Sequence, residues 1–165
     1  MNHVLERALK IAEAMQAVGF ALWQLQSLEE TAVTWVVVRL HASRGMGREA
    51  GVELSKKPER RTLGSVLKEL REAGVVPAEL AEELLAVLEL RNWLVHRARK
   101  EFHGMLTSDE LLISLHSKVS AIASRALAAQ KSAAAELEQF VLSSGVSKET
   151  IDREASALAK EWGLE

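Results

Sequence analysis

Glu89-Leu90-Arg91-Asn92-Trp93-Leu94-Val95-His96-Arg97 is the stretch on which the reading of this chain turns. It lies within a pattern from about Pro77 to His103. There Ala81, Leu84, Leu88, Val95, Ala98 and Phe102 fall on one stripe at about 100° per residue, which marks an amphipathic helix. Arg91 stands inside that stripe, where another leucine is expected. Asn92, His96, Arg99 and His103 follow along its edge. Burying such groups without partners costs several kcal/mol, so the pattern demands either internal counter-groups or an open cleft. Trp93 and Leu90 project from the opposite side, where packing against a neighbouring helix is the expected use.

Outward from this helix, the pattern is helical almost throughout. A helix is expected from about Asn2 to Val18, with Val4, Leu5, Ala8, Ile11, Ala12, Met15 and Val18 inward and a break or kink at Gly19. A second is expected from Leu22 to Ala42. Its β-branched run Val33-Thr34-Trp35-Val36-Val37-Val38 is read as helix, because no other strand-like run exists to pair with it. Ser43 to Arg61, with Gly45, Gly47, Gly51 and Pro58, reads as a basic loop. Thr62 suits an N-cap for a short helix ending at Gly74, and Pro77 suits the first turn of the central helix. Thr107 with Glu110 matches a capping box opening a long, Ala-rich helix to about Phe140. Ser147 caps a last helix whose apolar face is Ile151, Ala155, Leu158 and Trp162. A single all-α domain over residues 1–165 is expected: an up-and-down helical bundle with an extra C-terminal helix. The long helix outruns a compact domain of this size, so bending, protrusion or packing on a second subunit is expected of it.

Composition narrows the chemistry. There are no cysteines, which excludes disulfides, thiolate zinc sites and cysteine nucleophiles. The net charge of −2 argues against general coating of nucleic acid. No segment reaches the ~18 apolar residues of a membrane span and the N-terminus lacks a signal-type run, so a cytoplasmic protein without a membrane partner is expected. His96 and His103 share a face, but no H-E-x-x-H or acidic partner accompanies them. Neither a metal site nor a cofactor is expected.

Arg91-Asn92-x-x-x-His96, set in a Leu-rich helix that follows Thr62-Leu63-Gly64 and an amphipathic segment, resembles the R-N-x-x-x-H signature of the HEPN superfamily. The resemblance covers about Thr62 to Phe102. It implies a HEPN-like helical bundle, a homodimer in which Arg91 and His96 of both subunits meet at a two-fold cleft, and metal-independent endoribonuclease activity of toxin or defence type. Some members of the superfamily are inactive and serve as binding or scaffolding modules. Some toxins of this type carry a tyrosine two residues beyond the histidine, which a partner modifies. Ala98 stands there in this chain, which has no tyrosine at all.

The residues suit that chemistry on their own terms. His96 changes charge near neutral pH and suits proton transfer. Arg91 can grip a phosphate with two parallel bonds, and Asn92, four residues before His96, can orient the imidazole. Arg91 and His96 project about 140° apart on a straight helix, so one helix does not easily focus both on one phosphate; two subunits would. Arg97, Arg99, Lys100 and His103 supply local positive charge for RNA, a nucleotide or another anion. Two further readings stay open. In one, the fold is a non-catalytic regulatory or partner-binding module, with Arg91 in an ion pair with Glu83, Glu89 or a carboxylate of another helix. Alternatively, the same cleft binds a nucleotide or anion without cleaving it.

Overall fold

The computed structural model describes residues 3–43, 45–56 and 62–163. Among them every regular element is helical: α1 (His3–Val36), a π-helical turn (Val37–His41), α2 (Arg48–Ser55), α3 (Leu63–Glu72), α4 (Ala78–His96), α5 (Ala98–Glu101), α6 (Asp109–Ser143) and α7 (Lys148–Glu161). They fall into two compact units, Met1–Ala133 and Ala134–Glu165, with α6 running through the boundary.

In the first unit, α1, α4 and α6 alternate in direction. Arg91 of α4 meets Glu29 of α1, while Leu94 and Phe102 lie by Met15 and Val18, so α1 and α4 are antiparallel. Arg125 and Lys118 of α6 meet Glu83 and Glu101, which makes α6 antiparallel to α4. α3 packs on both α1 and α4. The core these helices enclose is apolar, with Leu25, Leu28, Trp35, Leu70, Leu84, Val87, Val119 and Ile122 all almost completely buried. No helix among the described residues is long and apolar enough to cross a membrane.

Several expected boundaries moved. Gly19 does not break the first helix. It is exposed and sits opposite the buried row Ala14, Ala21, Leu25, Leu28, Ala32 and Trp35. A glycine there costs about 1 kcal/mol of helix propensity, and burial of that row outweighs it. Val4, Leu5 and Met15, expected inward, are exposed. The β-branched run stays helical as expected but widens into the π-helical turn at Val37–His41. Within the expected loop, Arg48–Ser55 forms α2, packed on that turn. Glu49 in its first turn complements the helix dipole, and Glu53 pairs with Lys56. Pro58, Arg60 and Arg61 of that loop lie outside the described residues.

Thr62 caps α3 as expected, accepting from Ser65 N at 3.3 Å, and Gly74 (φ 65°) follows its last turn. The cap of α6 is Ser108 rather than Thr107. Ser108 Oγ accepts from Leu111 N at 3.3 Å, while the Thr107 hydroxyl donates back to the Gly104 carbonyl at 3.0 Å. In the second unit Ser147 caps α7, and Lys148 pairs with Glu138 and Asp152. The expected apolar face of α7 is largely open: Ile151 and Leu158 are half-buried, while Ala155 and Trp162 are exposed.

Candidate functional site

α4 buries Leu80, Leu84, Val87 and Leu94, and Ala98 continues the row beyond its end. The spacing 80-84-87-91-94-98 places Arg91 in the middle of this seam. The cation in a leucine's place is therefore real, although the seam is turned by about one residue from the expected stripe. Ala81 and Leu88 are half-buried, and Val95 is exposed. The wheel fixed the arc but not which of its edges faces the neighbours, because α4 packs against helices on more than one side.

The side chain of Arg91 is about one-third exposed. Its Nε donates to Glu29 Oε1 at 3.2 Å, and Glu29 is as exposed as its partner. The counter-ion is thus a carboxylate of another helix, not Glu83, which two bonds tie to Arg125. The terminal nitrogens of Arg91 make no hydrogen bond among the described residues. Asn92 is half-buried and His96 exposed, and neither has a hydrogen-bond partner among the described residues. His96 is the last residue of α4, since Arg97 (φ −120°, ψ −30°) interrupts the helix expected to continue to His103. The interruption lets Phe102 turn beneath Trp93, edge to face, with ring centroids 6.2 Å apart.

Trp93 packs toward α6. Its Nε1 donates to Glu101 Oε2 at 2.6 Å, and Lys118 Nζ lies 3.6 Å from its ring centre while donating to Glu101 Oε1 at 3.0 Å. The indole N–H first, and then the Lys118 ammonium, hold the Glu101 carboxyl below its usual range. This cluster fastens the chain just after the break. It explains why Glu101 does not neutralise the cations beside it.

Arg97, Arg99 and Lys100 are exposed and form no ion pair among the described residues. His103 is also exposed, with Nδ1 donating to the Lys100 carbonyl at 3.0 Å, which leaves Nε2 open. The structure therefore separates the expected residues into three groups. Arg91 lies in the seam, Asn92 and His96 on the open side of α4, and the cations on and after α5. Arg99 and His103 also border a cleft of about 560 Å³, lined among others by Met15, Val18, Leu94, Phe102, Met105 and Leu115. Sequence reasoning missed this cleft because it assigned Met15, Val18 and Phe102 to closed faces. No group of three or more His, Asp or Glu among the described residues is placed to hold a metal ion.

No family model, curated protein or solved structure matches the chain.

Proposed function

We propose that this is a HEPN-like helical protein that cleaves RNA without a metal ion, working as a two-fold homodimer. His96 moves the proton, Arg91 holds the phosphate and steadies its developing charge, and Asn92 orients the imidazole. Arg97, Arg99, Lys100 and His103 hold the flanking RNA backbone. One observation carries this reading: among the described residues, Asn92 and His96, one turn apart on α4, have no hydrogen-bond partner, and neither do the terminal nitrogens of Arg91, which directly precedes Asn92. Within one protomer Arg91 and His96 diverge around the helix, so the phosphate lies between Arg91 of one copy and His96 of the other. The test is cleavage of single-stranded RNA in EDTA. Wild-type protein turns substrate over, and His96→Ala abolishes turnover while the fold, followed by circular dichroism, is kept. Equal cleavage by the variant rules this mechanism out.

The Glu29–Arg91 pair favours a second reading, a non-catalytic partner-binding module in which Arg91 serves the seam. Glu29→Gln separates the two. In a ribonuclease it frees the guanidinium for phosphate and raises RNA affinity. In a binding module it lowers stability and leaves the protein without RNA turnover.

A further inference from the structure

The ribonuclease reading uses Arg99 and His103 at the rim of the cleft beside α5 but not the apolar cleft itself. Its walls are apolar and come from four parts of the chain: Met15 and Val18 of α1, Leu94 of α4, Phe102 and Met105 around the turn, and Leu115 of α6. Among the residues lining it, only Arg99 and His103 bear charge or can acquire it, and no carboxylate is among them. Arg99 makes no ion pair among the described residues. His103 is fixed by its Nδ1 bond to Lys100, so Nε2 faces away from that bond. The wall that Met105 and Leu106 contribute is tied down from outside. Arg7 Nε donates to the Leu106 carbonyl at 2.9 Å, while Arg7 Nη1 and Lys10 Nζ hold Asp109 at 2.8 and 2.9 Å. The cleft is therefore pre-formed and apolar, cationic at its rim, and edged with two adaptable methionine side chains.

From this complementarity we infer that the cleft binds a single-chain amphiphile with an anionic head, of the fatty carboxylate class, its tail among Met15, Leu94, Phe102 and Leu115 and its head at Arg99 and His103. Size agrees. About 560 Å³ lies within the roughly 300–1,000 Å³ of small-molecule clefts. A methylene is similar in size to a water molecule, ~30 Å³, so a tail on the order of a dozen carbons fits with room for the head. Guanidinium and imidazolium groups recognise a carboxylate through charge-assisted bonds, which a neutral or cationic head cannot make.

Isothermal titration calorimetry on the full chain, below micelle-forming concentrations, tests this with octanoate, decanoate, dodecanoate, dodecanol and dodecyltrimethylammonium. Dodecanoate is expected to bind saturably at one per chain. Affinity is expected to rise about fourfold per added methylene across the acid series, and dodecanoate to bind at least tenfold tighter than the ammonium amphiphile. Arg99→Glu, at an exposed position that does not endanger folding, removes that preference. Met105→Trp fills the cleft and weakens the acid and the alcohol alike. Absence of saturable binding overturns the inference, as does equal affinity for the anionic and cationic heads or full binding by Met105→Trp. Sedimentation adds one more decisive outcome: if Met105→Trp converts a dimer to monomer, a second copy fills the cleft and the amphiphile does not. RNA cleavage enters none of these readouts, so the ribonuclease reading stands or falls separately.

Discussion

Arg91 takes a place in the α4 seam that Val87 and Leu94 occupy one turn to either side, and it does so with a single bond to Glu29. Both partners keep about one-third of their surface in water, so their attraction is screened and far from that of a sealed pair. Removing one partner still leaves the other charge partly buried against apolar neighbours. Glu29→Leu is therefore expected to destabilise the protein by about 1 kcal/mol. Arg91→Leu, which completes the apolar row, is expected to leave stability unchanged or raise it. Urea denaturation of both variants checks this, and a large loss from Arg91→Leu would show that the arginine is held for architecture alone. Glu101 gives a pH-dependent counterpart. Its carboxyl is held below the usual glutamate range by Trp93 and Lys118, so the ionised form is favoured by folding. The stabilisation it brings is present above the unfolded glutamate range and is lost as pH falls through the depressed folded value. A step in tryptophan emission is expected on the acid side, centred below the ordinary glutamate range. Glu101→Gln should lack that step.

At the scale of elements, caps decide where these helices begin, and two neighbouring hydroxyls make the point. Ser108 receives the Leu111 N–H, whereas Thr107 is spent on the Gly104 carbonyl. Ser108→Ala is expected to lower stability by about 0.5–1 kcal/mol and Thr107→Ala by distinctly less. Thermal melts of the two variants rank them, and the reverse order would restore Thr107 as the cap. The error in reading Thr107 from sequence is instructive, since S/T-x-x-E spacing is satisfied there and only the turn geometry shows that its hydroxyl is engaged. Thr62 and Ser147 were legible because each stands alone before a clear apolar period. The helical character of nearly the whole chain was legible for the same reason. Gly19 misled because propensity is a local quantity, while the row from Ala14 to Trp35 gains its energy from neighbours distant in sequence. The interruption of Arg91 in the apolar row was visible in the sequence, but Glu29, Lys118 and the cleft were not. Each of those depends on which helix faces which.

At the scale of the molecule, the dimer we propose needs a surface, and the exposed side of α1 is the one we assign to it. Opposite its buried row, Leu5, Leu9, Ala12, Gly19, Phe20 and Trp23 follow one another along the exposed side. Trp23 is 67% exposed, Leu9 57%, and Leu5 and Phe20 55% each. Aromatic side chains bury roughly 150–250 Å² each when fully covered; at 55–67% exposure this row supplies part of the ~800 Å² per partner of a stable interface. Gly19 adds room for close approach, because nothing lies within 4 Å of where its Cβ would stand. Since α1 and α4 are antiparallel, this half of α1 runs beside the end of α4 that carries His96. Sedimentation velocity at micromolar concentration is expected to show a dimer for the wild type and a monomer for Trp23→Glu. The variant's protomer should remain folded, because the substituted side chain is exposed, and RNA cleavage should fall with the loss of the dimer. A Trp23→Glu protein that stays dimeric would place the interface elsewhere. One that is monomeric yet cleaves RNA at the wild-type rate would show that a single copy brings Arg91 and His96 to the same phosphate, against the divergence of the two side chains around α4.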